Sequence, residues 1–294
     1  MARVLVTGAS GFLGSALVRE WAARGHDVHA LVRPSSALDR IESVLGLIHL
    51  HRTASSEEAA RVLRAVDPDA LVHTACVYGR GGESPSQVLA ANVGLGVAFL
   101  QAVCEGDRLV SVLSTGSVLD PDVSLYALSK RQFADWGAQL AARAPERLRF
   151  IDLKLQHMYG PGDDRSKFTT HVLHALHTNQ PELQLTAGEQ QRDFIHVDDV
   201  VSAYDTVLAR AETMSPHEAI EVGSGHAPPV RQFVELVQRL TGATTRLEFG
   251  ALPYRPNEAM RCIADTTRLR ALGWRPRHDL TSGLQDTLSK EFHS

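Results

Sequence analysis

Short apolar runs alternate with longer amphipathic stretches through the first half of the chain. Arg3–Thr7 reads as a strand and Phe12–Arg24 as a helix. Asp27–Arg33 is a second strand, and Gly46–Leu50 a weaker third. Ser56–Val66 has helical spacing, Ala70–Thr74 is strand-like, and Ser86–Glu105 is a long helix. Leu109–Ser114, Ser124–Arg143 and Leu148–Leu155 continue the pattern as strand, helix and strand. Such alternation predicts right-handed crossovers and a parallel sheet covered on both faces, a doubly wound α/β fold. After Tyr159-Gly-Pro-Gly162 the pattern changes to polar loops and short elements, with helices near Val197–Ala211, Val230–Thr241 and Leu280–Glu291. This divides the chain at about residue 160, with the second part woven back onto the first. No repeat, low-complexity tract or flexible linker interrupts it.

Hydrophobic residues make up 44% of the 294 and charged residues 22%, enough for an ordinary core. A formal net charge of -4 gives no general reason to bind nucleic acid or an anionic membrane. No apolar run approaches the ~20 residues of a membrane span. The sequence opens at once on a strand-like run, so no signal peptide is expected. Cys76, Cys104 and Cys262 are scattered and odd in number, and read as reduced core residues of a cytosolic protein.

Two patterns carry chemistry. Gly8, Gly11 and Gly14 follow a strand and open a helix. One glycine permits a tight turn, one lets the backbone approach a pyrophosphate, and one lets helix and strand pack closely. The helix N-terminus then faces the anion. This is the context of a Rossmann-type dinucleotide loop, with Ser10, Phe12, Leu13 and Ala75 as further candidate contacts. Far downstream, Tyr126 and Lys130 stand four apart on a predicted helix, hence on one face. An ammonium beside a phenol favours the phenolate and eases proton transfer near neutral pH. The Thr115 hydroxyl can hydrogen-bond the same reacting oxygen.

The glycine spacing is Gly-x-x-Gly-x-x-Gly. With Asn92-Val-Gly-Leu-Gly96, Ser114-Thr115, Tyr126–Lys130, Tyr159–Gly162, Arg192–Val200 and Ala264-Asp-Thr-Thr…Leu272-Gly-Trp274, the chain resembles the extended short-chain dehydrogenase/reductases of the NAD-dependent epimerase/dehydratase family. The resemblance implies a dinucleotide-binding domain over 1–160 and a nucleotide-sugar-binding lobe mainly over 161–294. It implies Thr115, Tyr126 and Lys130 as catalytic residues, with Lys130 also on the nicotinamide ribose. It implies a homodimer built on the helices carrying Tyr126 and Ser86–Glu105, and Asn92 in a structural role.

The second strand ends Leu31-Val-Arg33-Pro-Ser35, without the acid that holds a free ribose 2′-OH. Arg33 and Ser35 suit a 2′-phosphate, which predicts NADP. Thr115 is followed by Gly116 and Ser117, where related 4,6-dehydratases carry an Asp-Glu pair, so elimination of water is not expected. The short stretch from Thr115 to Tyr126, and Leu153-Lys-Leu-Gln-His157, look most like nucleotide-sugar 4-ketoreductases of the CDP-abequose synthase type. Ser117, His157, Arg192 and Arg255 are the candidate substrate contacts. His171, His174 and His177 recur every three residues on a drifting helical stripe, and no metal is expected. The expected function is NADPH-dependent reduction of a nucleoside-diphosphate 4-keto-6-deoxyhexose, CDP- or TDP-linked. The alternatives are an NAD-dependent nucleotide-sugar 4-epimerase and a redox-sensing binding protein of the same fold.

Overall fold

A computed structural model describes residues 1–255 and 258–292. In chain order the elements are β1 (Arg3–Thr7), α1 (Phe12–Ala23), β2 (Asp27–Val32), β3 (His49–Arg52), α2 (Ser56–Val66), β4 (Ala70–His73), α3 (Pro85–Leu89), α4 (Leu95–Cys104), β5 (Val110–Ser117), α5 (Leu125–Arg143) and β6 (Leu148–Leu155). There follow β7 (His157–Tyr159), α6 (Phe168–His177), β8 (Glu182–Leu185), β9 (Gln191–Arg192), β10 (Phe194–His196), α7 (Val197–Leu208), β11 (His217–Val222), α8 (Val230–Thr241), β12 (Arg246–Phe249), β13 (Arg261–Cys262), α9 (Thr267–Ala271) and α10 (Leu280–Phe292).

The chain forms two units. The first holds residues 1–155 and 203–220, the second 156–202 and 221–294. The first is built on a seven-stranded sheet of order β11-β6-β5-β4-β1-β2-β3. The pairs β2–β3, β1–β2, β1–β4, β4–β5 and β5–β6 are all parallel. Order 3-2-1-4-5-6 is the Rossmann arrangement, and its reversal between β1 and β4 opens a ligand crevice at the carboxyl ends of the strands. Register brings Thr7 beside His73, His73 beside Ser114 and Thr115 beside Leu153, so these ends form one row. Strands buried on both faces need continuous apolar runs. β4 is buried throughout, and β1 beyond its first residue.

Helix starts are set by local chemistry. Ser55 Oγ accepts the Glu58 N–H at 3.2 Å to cap α2. Ser124 Oγ accepts the Ala127 N–H at 3.1 Å to cap α5, which fixes where Tyr126 stands. At Gly137 of α5 any Cβ would meet the Phe150 ring of β6, so this glycine lets the helix lie close on the sheet. Phe99, Leu100, Val112, Phe133 and Phe150 centre the core there.

Three expectations need correction. Gly46 and Leu47 belong to a run of 3₁₀ turns over Asp39–Leu47, and the third strand starts only at His49, in register with His29. The long helix is interrupted by a wide π-turn at Ala90–Gly94. Taken together, Pro85–Cys104 is a 20-residue helix long and apolar enough to cross a membrane by length and composition. Its polar interruptions hid that in the sequence. Phe99, Leu100, Ala102 and Val103 pack in the first unit's core, and buried Asn92 is fully hydrogen-bonded, so it is a core helix.

The second unit has three two-stranded parallel pairs, β10–β7, β12–β8 and β13–β9. Its core gathers Tyr159, Leu173, Leu176, Phe194, Phe233, Val237 and Leu284.

Candidate active site

The glycine loop is a built cradle. Gly8 has φ +65, a conformation side-chain-bearing residues rarely adopt, and a Cβ there would lie 2.7 Å from Ala75 N and 2.8 Å from Thr74 Oγ1. A Cβ on Gly14 would collide with the Gly8 carbonyl. The loop closes through the Gly11 N–H donating to Gly8 O at 2.8 Å, and Thr74 Oγ1 donates to Thr7 O at 2.7 Å. No side chain caps α1 at Gly11, and its first turn carries no acid. Its positive end is therefore open to an anion. These features fit a dinucleotide pyrophosphate. Gly8, Ser10, Gly11, Phe12, Leu13, Gly14 and Ala75 all belong to this loop and its β4 neighbour.

Tyr126 and Lys130 lie in the first turns of α5. Lys130 is buried, 5% exposed, with Nζ 5.7 Å from the centre of the Tyr126 ring. Tyr126 also packs on Tyr78, their ring centres 4.8 Å apart. Asn92 ties this helix to the end of β4. Its Oδ1 accepts the Val77 N–H at 2.8 Å, and its Nδ2 donates to Val77 O and to Ser129 Oγ, both at 2.9 Å. Ser129 Oγ in turn donates to Tyr126 O at 2.8 Å. The structural role expected of Asn92 is thus visible, and Ser129 is a linking residue that the sequence reading did not single out.

Thr115 ends on a partner that no motif announced. Its Oγ1 lies 2.7 Å from the hydroxyl of Tyr204, and both residues are buried. One of the two hydroxyls donates and the other accepts, which leaves Thr115 further hydrogen-bonding capacity.

Burial dominates the titrations. The Tyr126 phenol is pushed well above its ordinary value by desolvation, with Cys76, Tyr78 and Tyr204 adding to the rise and Arg80 opposing it. Burial lowers His73 to about 3, helped by Lys130. His73 Nδ1 is bonded to Thr7 Oγ1 at 2.8 Å. Burial also raises Asp152 to about 6, with Lys154, Lys130 and a Ser114 hydrogen bond pulling it back. Asp152 is 2% exposed, and its Oδ1 has no hydrogen-bond partner.

At the far end of β2, Arg33 and Ser35 are exposed. Arg52, at the end of β3, donates to Pro34 O at 2.7 Å and Arg33 O at 3.4 Å. A second cation therefore flanks this turn, missed because β3 was placed too early.

Ser117 closes β5 in the first unit, its Oγ accepting the Leu119 N–H at 3.2 Å. His157, Arg192 and Arg255 lie in the second unit. The His157 imidazole is pushed down to about 4 by burial, and next by Arg192; its Nδ1 has no partner. Arg192 is buried and ion-paired with Glu258, and its Nη1 donates to Gln191 O at 2.9 Å. Arg255 is exposed; Pro256 and Asn257 of its motif lie outside the described residues. Asp193 serves structure: it accepts the N–H groups of Ser224, Gly225 and Ala264. Asp199 accepts those of Arg277 and His278. His174 meets Glu291 at 3.1 Å and His177 stacks on Phe292.

A Rossmann sheet with this cradle and a Tyr-x-x-x-Lys helix defines a dinucleotide-dependent short-chain dehydrogenase/reductase. The chain belongs to the NAD dependent epimerase/dehydratase family, whose model matches residues 4–223. It is 29% identical to CDP-abequose synthase of Salmonella typhimurium, over 98% of this chain and 97% of that protein. It is 30% identical to 3-diazoavenalumate denitrifying reductase of Streptomyces sp, over 94% and 96%. The fold matches UDP-glucose 4-epimerase of Thermotoga maritima, solved with UDP-glucose, at a TM-score of 0.84 and 21% identity, covering 98% of this chain and 97% of that one.

Proposed function

We propose that this enzyme reduces the 4-keto group of a nucleoside-diphosphate 4-keto-6-deoxyhexose, CDP- or TDP-linked, with NADPH. The observation that carries the reading is Tyr126 beside buried Lys130 at the start of α5, four residues apart on one helix face. When bound, the cofactor supplies the hydride. Tyr126 donates the proton to the ketone oxygen, and Thr115, held by Tyr204, hydrogen-bonds that oxygen. Lys130 holds the nicotinamide ribose. Gly8, Ser10, Gly11, Phe12, Leu13, Gly14 and Ala75 cradle the dinucleotide, and Arg33 and Ser35 take the 2′-phosphate. Ser117, His157, Arg192 and Arg255 contact the nucleotide sugar. For Arg192 this requires sharing its guanidinium with Glu258.

Likeness to CDP-abequose synthase along nearly the whole chain supports the substrate class. Leu89, Leu125, Leu128 and Trp136 are large apolar residues left exposed on α3 and α5, which supports a homodimer through those helices. The reading is tested by offering CDP-, TDP- and UDP-4-keto-6-deoxyhexoses with NADPH and identifying products by NMR. NADPH oxidation with one of the CDP or TDP substrates supports it. Tightly held NAD(H) in the purified protein, with no NADPH consumption, replaces it with the epimerase.

A further inference from the structure

Outside the active site, the edge of the sheet carries a cluster of histidines that the mechanism does not use. β3 is the edge strand and pairs in parallel with β2. Residues two apart on a strand share a face. Asp27 and His29 of β2 therefore stand beside His49 and His51 of β3, with His29 in register with His49. The ring of His29 stacks on His49 at 4.6 Å and on His51 at 5.2 Å.

Asp27 Oδ1 lies 3.3 Å from His29 Nε2 and 3.4 Å from His49 Nε2. These separations are long for hydrogen bonds, which run at about 2.7–3.2 Å. His29 Nε2 is buried and has no hydrogen-bond partner. The same spacing suits a metal. Four-coordinate Zn²⁺ holds imidazole nitrogen and carboxylate oxygen at about 2.0–2.2 Å, which sets the ligand atoms of a tetrahedron roughly 3.3–3.5 Å apart. All three ligand atoms lie within 4.8 Å of one another.

The surrounding contacts orient these ligands. His29 Nδ1 is 2.9 Å from His51 Nε2. A metal-binding histidine donates its other N–H to an acceptor, which fixes the tautomer; with His51 Nε2 as that acceptor, His29 Nε2 is left for the ion. Arg3 Nε donates to Asp27 Oδ2 at 2.7 Å and so leaves Oδ1 facing the two imidazoles. His49 is 65% exposed at its side chain, which gives the site an entry from solvent and room for a water as fourth ligand. In the second cluster of this kind among the described residues, His196, Asp198 and His278, the His196 Nδ1 already accepts the Asp198 N–H at 3.3 Å.

We propose that Asp27, His29 and His49 form a Zn²⁺ site, with His51 as the orienting partner of His29, that staples the edge strand to the sheet. Register places Asp27 level with Arg3 and Leu31 level with Thr7. The site thus sits at the amino ends of the strands, roughly 13 Å along β2 from the glycine-loop end. Its effect is on the stability of the edge, which is otherwise a short strand open on one side.

The test uses the full chain without a histidine tag, stripped of metal, titrated with Zn²⁺ by calorimetry and with Co²⁺ by visible absorption. The expected result is one ion per chain, a tetrahedral Co²⁺ spectrum and a higher melting temperature with Zn²⁺. His49→Gln changes an exposed side chain and should still fold, while weakening Zn²⁺ at least tenfold; His51→Gln should weaken it about 10–100-fold. Scattered, substoichiometric uptake, or unchanged binding in His49→Gln, would overturn the proposal.

Discussion

The hydroxyls of Thr115 and Tyr204 are 2.7 Å apart inside the first unit, near the carboxyl end of β5. Tyr204 is fully buried, so its ring cannot swing aside to release Thr115. The bond therefore fixes the threonine rotamer that the proposed mechanism uses. Tyr204→Phe keeps the ring and deletes the oxygen. Leaving the Thr115 hydroxyl without its buried partner should cost about 1–3 kcal/mol in unfolding free energy. A misaimed hydroxyl should also lower kcat by roughly ten- to a hundredfold with KM little changed. Thr115→Val in the Tyr204→Phe background should then add little. Full additivity of the two losses would show that the hydroxyls act separately.

Tyr126→Phe removes the proposed proton donor but keeps the stack on Tyr78. Loss of a general acid should reduce kcat by about 10²–10⁴ with the melting temperature nearly unchanged. Because burial raises the phenol's pKa, its proton stays in place as pH rises, and reduction should show no falling limb from this group between about pH 7 and 9. A steep decline there, absent in a control for cofactor and substrate stability, would count against Tyr126 as the acid.

Arg33→Ala tests the choice of cofactor. A charge-assisted contact contributes about 1.5–3 kcal/mol, so the KM for NADPH should rise roughly ten- to a hundredfold while that for NADH moves little. Arg52→Ala should act in the same direction and more weakly, since Arg52 is held on the carbonyls of Arg33 and Pro34. Equal effects of Arg33→Ala on both cofactors would remove the 2′-phosphate from the reading.

Much of the first unit was legible because its strands are buried on both faces and its helices are amphipathic, so periodicity speaks clearly. The glycine cradle and the pairing of Tyr126 with Lys130 follow from spacing alone. What was not legible depended on long-range packing. The start of β3 is decided by register with His29, not by the hydrophobicity of Gly46–Ile48; the strand begins three residues and ends two residues later than expected, which hid Arg52 and the alignment of His49 with His29. Tyr204 meets Thr115 across 89 positions, on a helix whose motif points to Asp198 and Asp199 instead. Local spacing likewise placed Lys130 beside Tyr126, but the burial that raises the phenol is set only by the folded surroundings.

Trp136 is 52% exposed on α5, where Leu125 and Leu128 are also exposed. A charge placed there should oppose burial against a second copy. Trp136→Glu is expected to sediment as a monomer at concentrations where the parent sediments as a dimer, with little loss of unfolding free energy in the monomer. A parent protein that sediments as a monomer throughout would remove the homodimer.

Asp152 gives the pH dependence of stability a definite sign. Its carboxyl is raised from 3.8 to about 6 in the folded chain, chiefly by burial. An acid with a raised folded-state pKa holds its proton in the folded chain after the unfolded chain has released it. Its contribution is therefore most favourable below about 4 and is lost as pH climbs through about 6. Above that the cost is roughly 3 kcal/mol, from about 1.36 kcal/mol per pKa unit. Asp152→Asn cannot ionise and can keep the hydrogen bond with Ser114. It should melt above the parent at about pH 7.5, with the gap closing toward pH 4. His73, lowered to about 3, has the opposite sign and costs stability as pH falls below 6.5. It is present in both proteins, so the difference between the two melting curves isolates Asp152. A gap that widened on acidification would mean that the carboxyl is ionised and stabilising in the folded chain, held by Lys130 and Lys154.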